Sequence, residues 1–292
     1  MVVGGGPTGV EFSGELNDFI REEVCRLYPR LLDRASVVLL NSAGSLLSAF
    51  DAALQQRALT TLRREGTDIR LRTRVSAVGE RDVAYTDAEG VQQTLPCGLC
   101  VWAAGNTFRQ VTLDFARRLG ADQEASVLRG GRLMVDGFLR VLSSPGNPLS
   151  EVFAMGDVAG IVGRPLPQTA QVAAQQGAYL ARLFNRGYAF SEPVPSLQSK
   201  AWTDNLWRRA RGQLEARSFH FLNLGLLAYV GDSEAVAQVQ LGNATLLDAT
   251  GGKAYLLWRS VYVVKQVSLR TRILVLFDYA KTKLFGRDLT AL

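Results

Sequence analysis

The sequence predicts an α/β protein of the doubly wound, dinucleotide-binding kind with a C-terminal pair of amphipathic helices, and three observations predict it. Residues 4–9 form a glycine turn, GGGPTG, that follows the strand stub Val2-Val3 and opens a helix. Short apolar runs then alternate with amphipathic helix up to about Ala103. Near the C-terminus, two helical stretches carry aromatic and aliphatic residues rimmed by cations.

In the turn, Gly4 allows a tight strand-to-helix bend, Gly6 lets bare backbone approach a pyrophosphate, and Gly9 lets the helix pack closely on the strand. A glycine-rich turn without a ligand fits the same six residues. A long helix follows, then the strand run Ser36 to Leu40, then Asp51 as N-cap of a helix with Leu54, Ala58, Leu59 and Leu62 on one face. Ile69 and Leu71 read as a strand. Val83 and Tyr85, the turn signal Asp87-Ala88-Glu89-Gly90, and Val91 read as a hairpin appended to the nucleotide-binding sheet, which Val101-Trp102 closes.

From Gly105 to Gly187 the sequence predicts a loop-rich piece, a strand over Arg132–Val135, and the apolar run Val152 to Met155 stopping at Gly156-Asp157. A carboxylate projected off a strand end beside a helix N-terminus can accept hydrogen bonds from ribitol or ribose hydroxyls; a plain turn has the same residues. The helix from Gln168 to Leu180 has a face of small residues, with Gln171 and Gln175 at i, i+4 on another face, a spacing that also suits a solvated stripe. Ser191 to Ser196 reads as a linker. Beyond it come a hairpin over Ser218 to Val239 and helices over Lys253 to Gln266 and Ser268 to Leu284.

The chain has 292 residues, 47% of them hydrophobic and 21% charged, which excludes a disordered protein. Residues 195–292 hold 13 Lys+Arg against 7 Asp+Glu and so account for the whole net charge of +6. Aromatics lying in the apolar stripe favour an anionic membrane surface over nucleic acid, with a dimer or core helix as the other reading. Three cysteines form no disulfide framework, Cys97-Gly-Leu-Cys100 has no second pair to complete a metal site, and one histidine, His220, argues against a histidine-based metal centre or triad. No metal site is expected. The longest uncharged apolar stretch, Ser218 to Gly231, is too short and polar to span a bilayer.

Taken together and in order, GGGPTGVEF (4–12), VWAAG (101–105), VFAMGD (152–157), PLPQTAQVAAQQG (165–177) and WRSVYVVKQVSLRTRILVLFDYAKTKLFGRD (258–288) resemble the type II, or alternative, NAD(P)H:quinone oxidoreductases of plant, fungal and algal mitochondria. The resemblance implies a flavoprotein of two doubly wound dinucleotide-binding domains with a C-terminal amphipathic membrane-attachment segment: an NAD(P)H-binding domain over 1–103, the second half of an FAD-binding domain over 104–190, and a hairpin and membrane region over 191–292. It implies NADH, possible use of NADPH, FAD, a quinone substrate, a homodimer, no nucleic-acid partner, and peripheral attachment to the mitochondrial inner membrane or a plastid membrane.

By matching positions, Gly4, Gly6, Gly9 and Asn41 bind the nicotinamide coenzyme. Gly105, Gly156, Asp157, Gln168, Thr169 and Ala170 belong to the cofactor-binding motifs, with Asp157 on the FAD ribitol. Gln171 and Gln175 line the quinone pocket, and Glu11 sits near the nicotinamide and flavin. Two departures matter. The chain has no second glycine turn for FAD, so it is expected to begin part-way through a longer protein and, alone, to hold little flavin. At the ribose position Asn41 replaces the usual acid, which removes a repulsion toward a 2′-phosphate. A sulfide:quinone or disulfide reductase, which needs a redox cysteine pair beside the flavin, and a catalytically inactive fragment are the other readings.

Overall fold

The computed structural model describes residues 1–143, 146–186, 216–241, 244–266 and 268–287. The linker expected at Ser191 to Ser196 lies outside them. The chain divides into two compact units, Met1–Gly105 together with Asn223–Leu292, and Asn106–Leu222. The C-terminal region expected to start at residue 191 is thus, from Asn223 on, part of the first unit.

The first unit is built on a parallel sheet of β1 (Val2–Val3), β2 (Val38–Leu40), β3 (Asp68–Arg70) and β7 (Val101–Trp102), in the order β3-β2-β1-β7. The register aligns Val2 with Leu39 and with Val101. Helix α1 (Pro7–Phe19) continues through a π-helical turn, Ile20–Val24, into α2 (Cys25–Leu27) and the 3-10 segment Pro29–Arg34. Helix α3 (Ala52–Arg64) connects β2 to β3. As the period predicts, Leu54, Ala58 and Leu62 are buried, and they join Val2, Val10, Leu39 and Ile69 in one core. Each fully buried leucine contributes about 1.5–3 kcal/mol relative to exposure.

Two expectations are corrected here. Asp51 does occupy the N-cap of α3, but its side chain caps no backbone amide; it accepts a hydrogen bond from the Gln238 side chain instead. The stretch around Val83 and Tyr85 is not an appendage of the parallel sheet. It is a separate antiparallel sheet of β4 (Arg74–Val78), β5 (Asp82–Thr86) and β6 (Gln92–Pro96). The expected turn is present, with the Asp87 carboxylate accepting from the Glu89 and Val91 amides.

The C-terminal part of this unit is an antiparallel sheet of β12 (Gly225–Gly231), β13 (Glu234–Leu241) and β14 (Ala244–Gly251), one strand more than the predicted hairpin. Its Ala228, Val230 and Val236 enter the core of the first unit. At Gly14 the contact with α1 is backbone to backbone: a Cβ there would lie 2.7 Å from the Gly231 nitrogen, so glycine at 14 sets how closely helix and strand approach. Helices α7 (Gly252–Val264) and α8 (Leu269–Phe285) follow. Helix α8 buries none of its residues and leaves Leu269, Ile273, Leu276, Phe277, Leu284 and Phe285 more than half exposed. Among the described residues no helix is long and apolar enough to cross a membrane.

The second unit carries a four-stranded sheet in the order β10-β9-β8-β11, from β8 (Leu133–Val135), β9 (Arg140–Leu142), β10 (Pro148–Phe153) and β11 (Ala159–Ile161). Only β8 and β11 are parallel. The piece expected to be loop-rich contains helices α4 (Gln110–Leu119) and α5 (Ala121–Leu128). Helix α6 (Ala170–Asn185) completes the unit and buries Val172, Gln176, Leu180 and Leu183.

Candidate functional site: a nucleotide turn and a strand-end carboxylate

In the glycine turn Gly4, Gly6 and Gly9 stand in different surroundings. Gly4 has φ +116°, and a Cβ there would lie 2.6 Å from the Ala103 carbonyl oxygen of the chain leaving β7. A Cβ on Gly9 would lie 1.9 Å from the Gly4 carbonyl oxygen. A Cβ on Gly6 would meet no protein atom within 4 Å, and Gly6, at φ −75° and ψ 179°, has a backbone any residue adopts. The protein itself therefore explains Gly4 and Gly9 and gives no reason for Gly6. Gly6 is the N-cap of α1, with no side-chain cap and with Pro7 in the first turn. The first-turn amides and the helix dipole make that point a cradle for an anion, and a Cβ on Gly6 would fill it.

Gly105 lies just past β7 with φ +68°, two residues beyond the carbonyl that faces Gly4. Asn41, at the end of β2, is used differently from expectation. It is 9% exposed; its Oδ1 accepts from the Gly5 amide at 3.0 Å, and its Nδ2 donates to the Ser45 carbonyl at 2.8 Å and to the Ala43 carbonyl at 3.4 Å. The amide ties the loop after β2 to the glycine turn. Its polar atoms are turned into the protein.

Glu11, one turn into α1, accepts hydrogen bonds through Oε1 from the Tyr229 amide at 3.2 Å and from the Trp258 indole Nε1 at 3.0 Å. One carboxylate thus ties the nucleotide-turn helix to β12 and to α7. Burial raises its pKa above the ordinary glutamate value, and the two hydrogen bonds offset part of that rise. Around it Tyr229, Tyr255 and Trp258 stack, with the Tyr229 and Trp258 ring centroids 5.3 Å apart. The Tyr229 hydroxyl donates to the Asp18 carboxylate, and burial together with that acceptor pushes the phenol far above its usual range.

In the second unit, β10 ends at Phe153 and a 3-10 turn, Gly156–Val158, presents Asp157. Gly156 has φ +70° and donates its amide to the Gln176 side-chain oxygen at 2.6 Å. Gln176 is 1% exposed, and sequence reasoning passed it over because its neighbours Gln171 and Gln175 have the conspicuous spacing. The Asp157 carboxylate is exposed and takes no hydrogen bond or ion pair among the described residues; the Asp157 carbonyl accepts from the Gln168 side chain at 3.1 Å. Thr169 is the N-cap of α6, its hydroxyl accepting from the Val172 amide, and Ala170 is the first helical residue. An unpaired carboxylate beside small residues and a helix N-terminus suits the hydroxyls of a ribitol chain.

Gln171 and Gln175 are half-buried. Gln175 is no solvated stripe: its amide donates to the Leu222 carbonyl at 2.8 Å and accepts from the Leu222 amide at 2.9 Å, as a strand partner would. It also lines a groove of about 310 Å³ with Tyr179, Arg182, Arg217 and Phe219. His220, exposed, is at the rim of the same groove. The Cys97 and Cys100 thiols are free and pack against Leu40, Val83 and Tyr85. Burial and the neighbouring thiol raise the Cys100 pKa, which disfavours a reactive thiolate.

Two family models match the chain. The family model described as pyridine nucleotide-disulphide oxidoreductase matches residues 1–177, and one described as the NDH2 C-terminal domain matches residues 223–288. The chain belongs to the pyridine nucleotide-disulphide oxidoreductase family. Its similarity is to the type II NADH dehydrogenases of that family. It is 33% identical to the mitochondrial external alternative NADH-ubiquinone oxidoreductase of Yarrowia lipolytica, over 99% of this chain and 52% of the relative. It is 28% identical to the mitochondrial external alternative NAD(P)H-ubiquinone oxidoreductase B2 of Arabidopsis thaliana, over 99% of this chain and 61% of the relative. NDH2 of Plasmodium falciparum, solved in complex with NADH, has the same fold, with a TM-score of 0.80 at 21% identity over 98% of this chain and 66% of that one. The chain spans about half the length of the curated relatives it matches.

Proposed function

We propose that this chain supplies the NAD(P)H site, the ribitol end of the FAD site and the quinone-side surface of a type II NAD(P)H:quinone oxidoreductase. The observation that carries the reading is Gly6, a glycine that the protein's own packing does not require, at a helix N-terminus of a turn whose Gly4 and Gly9 are fixed by close contacts. Bound FAD supplies a hydride acceptor that returns two electrons to a quinone. The chain's own residues do the rest. The first-turn amides of α1 hold the coenzyme pyrophosphate. Asp157 accepts from ribitol hydroxyls, while Gln176 fixes the Gly156 amide and so the position of that carboxylate. Gln171 and Gln175 border the quinone, and Glu11 stands near the reacting rings as well as tying down Trp258. Anaerobic addition of NADH to the holoprotein is expected to bleach the flavin absorbance, and a short-chain quinone to restore it. Flavin colour that persists after NADH would overturn the reading.

Attachment to the mitochondrial inner membrane, as a homodimer, belongs to the same proposal and rests on α8. Its exposed Ile273 and Phe277 are four residues apart on the helix, with Arg270, Arg272, Lys281 and Lys283 along it. Co-sedimentation with anionic vesicles is expected to fall for Ile273→Asp/Phe277→Asp at low and high salt alike. Arg270→Glu/Arg272→Glu is expected to lower it mainly at low salt, by about 1 kcal/mol for each cation lost. Unchanged vesicle binding in both variants, with a change in oligomeric state, would assign the helix to the dimer interface.

A further inference from the structure

The parallel register sets Arg70 beside Leu40, so the chain leaving β3 runs alongside the loop that follows β2. Two backbone hydrogen bonds hold it there, from the Arg72 amide to the Ala43 carbonyl at 3.1 Å and from the Thr73 amide to the Asn41 carbonyl at 2.9 Å. Arg72 has φ +52°, a left-handed conformation unusual for a residue with a side chain. Its guanidinium lies over Gly44: a Cβ on Gly44 would be 3.5 Å from Nε and 3.9 Å from Nη2. The contrast with its neighbour is sharp. Arg70 is occupied by Asp68 at 2.9 Å and by the Tyr85 hydroxyl, whereas the Arg72 side chain makes no hydrogen bond or ion pair among the described residues. The loop beneath it, Asn41-Ser42-Ala43-Gly44-Ser45, contains no acid, and residues 42–44 are exposed.

A fold of this kind places the adenosine ribose of its coenzyme at the C-terminal end of β2, where an acid selects a free 2′-hydroxyl and an arginine accommodates a 2′-phosphate. The acid position is held by Asn41, whose amide is taken up by Gly5, Ala43 and Ser45. The geometry points to Arg72, set over Gly44 and tied by its amide to Ala43, as the clamp for an adenosine 2′-phosphate, giving this chain a subsite for NADPH. A guanidinium can take two phosphate oxygens at once, and an exposed loop without a carboxylate leaves that cation available.

This inference rests on the proposed coenzyme site, and its test separates the two. The full chain is titrated calorimetrically with adenosine 2′,5′-bisphosphate and with adenosine 5′-monophosphate. The parent is expected to bind the bisphosphate more tightly. Arg72→Ala is expected to weaken bisphosphate binding about tenfold to a hundredfold while leaving the monophosphate Kd within about twofold. Arg72→Gly, which relieves the left-handed backbone, guards against a folding artefact and is expected to match. Gly44→Asp, which sets a carboxylate against the guanidinium, is expected to remove the preference without touching Arg72. If the parent binds both probes equally, or if the variants weaken both equally, Arg72 is not a 2′-phosphate clamp and the coenzyme site stands. If the parent binds neither probe, both readings fall.

Discussion

Gly9→Ala is expected to destabilise the protein by on the order of 3 kcal/mol or more, while Gly6→Val leaves it folded and unable to hold its coenzyme. At Gly9 the added carbon would sit 1.9 Å from the Gly4 carbonyl oxygen, a backbone atom in the tightest part of the turn, so the helix must move off the strand. Gly4→Ala should behave like Gly9→Ala, since it combines a contact of 2.6 Å with a φ of +116°. At Gly6 nothing in the protein resists the new side chain, and the loss of a glycine N-cap costs about 1 kcal/mol at most. The valine would occupy the place where a pyrophosphate must approach the first-turn amides. Loss of even one charge-assisted hydrogen bond there lowers affinity about tenfold or more. Thermal melts paired with NADH fluorescence titration read both quantities. A Gly6→Val protein that melts like the parent and binds NADH equally well would remove the turn from the coenzyme site.

Glu11→Ala is expected to cost about 2 kcal/mol or more, because it leaves the Trp258 indole N–H and the Tyr229 amide without their acceptor inside the packed aromatic group. Glu11→Gln keeps a side-chain oxygen for both donors and is expected to stay within about 1 kcal/mol of the parent at neutral pH. The two proteins should part company in acid. The Glu11 pKa is raised in the folded state, first by burial, so its proton binds more tightly there than in the unfolded chain. The resulting stabilisation is complete below the unfolded glutamate pKa and is lost as the pH rises through the raised folded pKa. Glu11→Gln removes that component. Melts from pH 4 to 8 should show a stability gain toward acid in the parent, relative to the variant; parallel curves would rule the carboxylate out as its source. The same variant separates the two roles given to Glu11. A fall in kcat at unchanged melting temperature places the carboxylate at the reacting rings, whereas unchanged turnover confines it to docking the C-terminal sheet.

Much of the first unit was legible because its signals are local. The spacing of Gly4, Gly6 and Gly9 after two valines specifies a strand, a turn and a helix within a dozen residues. The period of Leu54, Ala58 and Leu62 specifies a buried helix face. Asp87 to Gly90 specifies a turn whoever its strands pair with. What failed was mostly strand partnership: β5 and β6 pair with β4, whose largely exposed residues carry no strong alternation, and not with the parallel sheet. Helices α4 and α5 were missed because they are short, 10 and 8 residues, although α4 sets Leu113, Phe115, Ala116 and Leu119 against the core of the second unit.

By itself, the sequence determined which residue types stand at the turn, at the strand end before α6 and along α8, and from their order the family. Only the tertiary structure decided what several of those side chains touch. Asp51 serves Gln238, 187 residues away, and not its own helix. Asn41 accepts from the Gly5 amide of the glycine turn, Gln175 pairs with the Leu222 backbone, and Glu11 joins α1 to residues more than 200 positions downstream. The physical reason is common to all four. A buried or half-buried polar group must find a partner, local sequence limits its type, and which partner comes within 3 Å is settled by how distant elements pack. Arg72 is the converse case: one cation among 33 in the sequence, it stands apart only because the register of β2 and β3 lays it over Gly44.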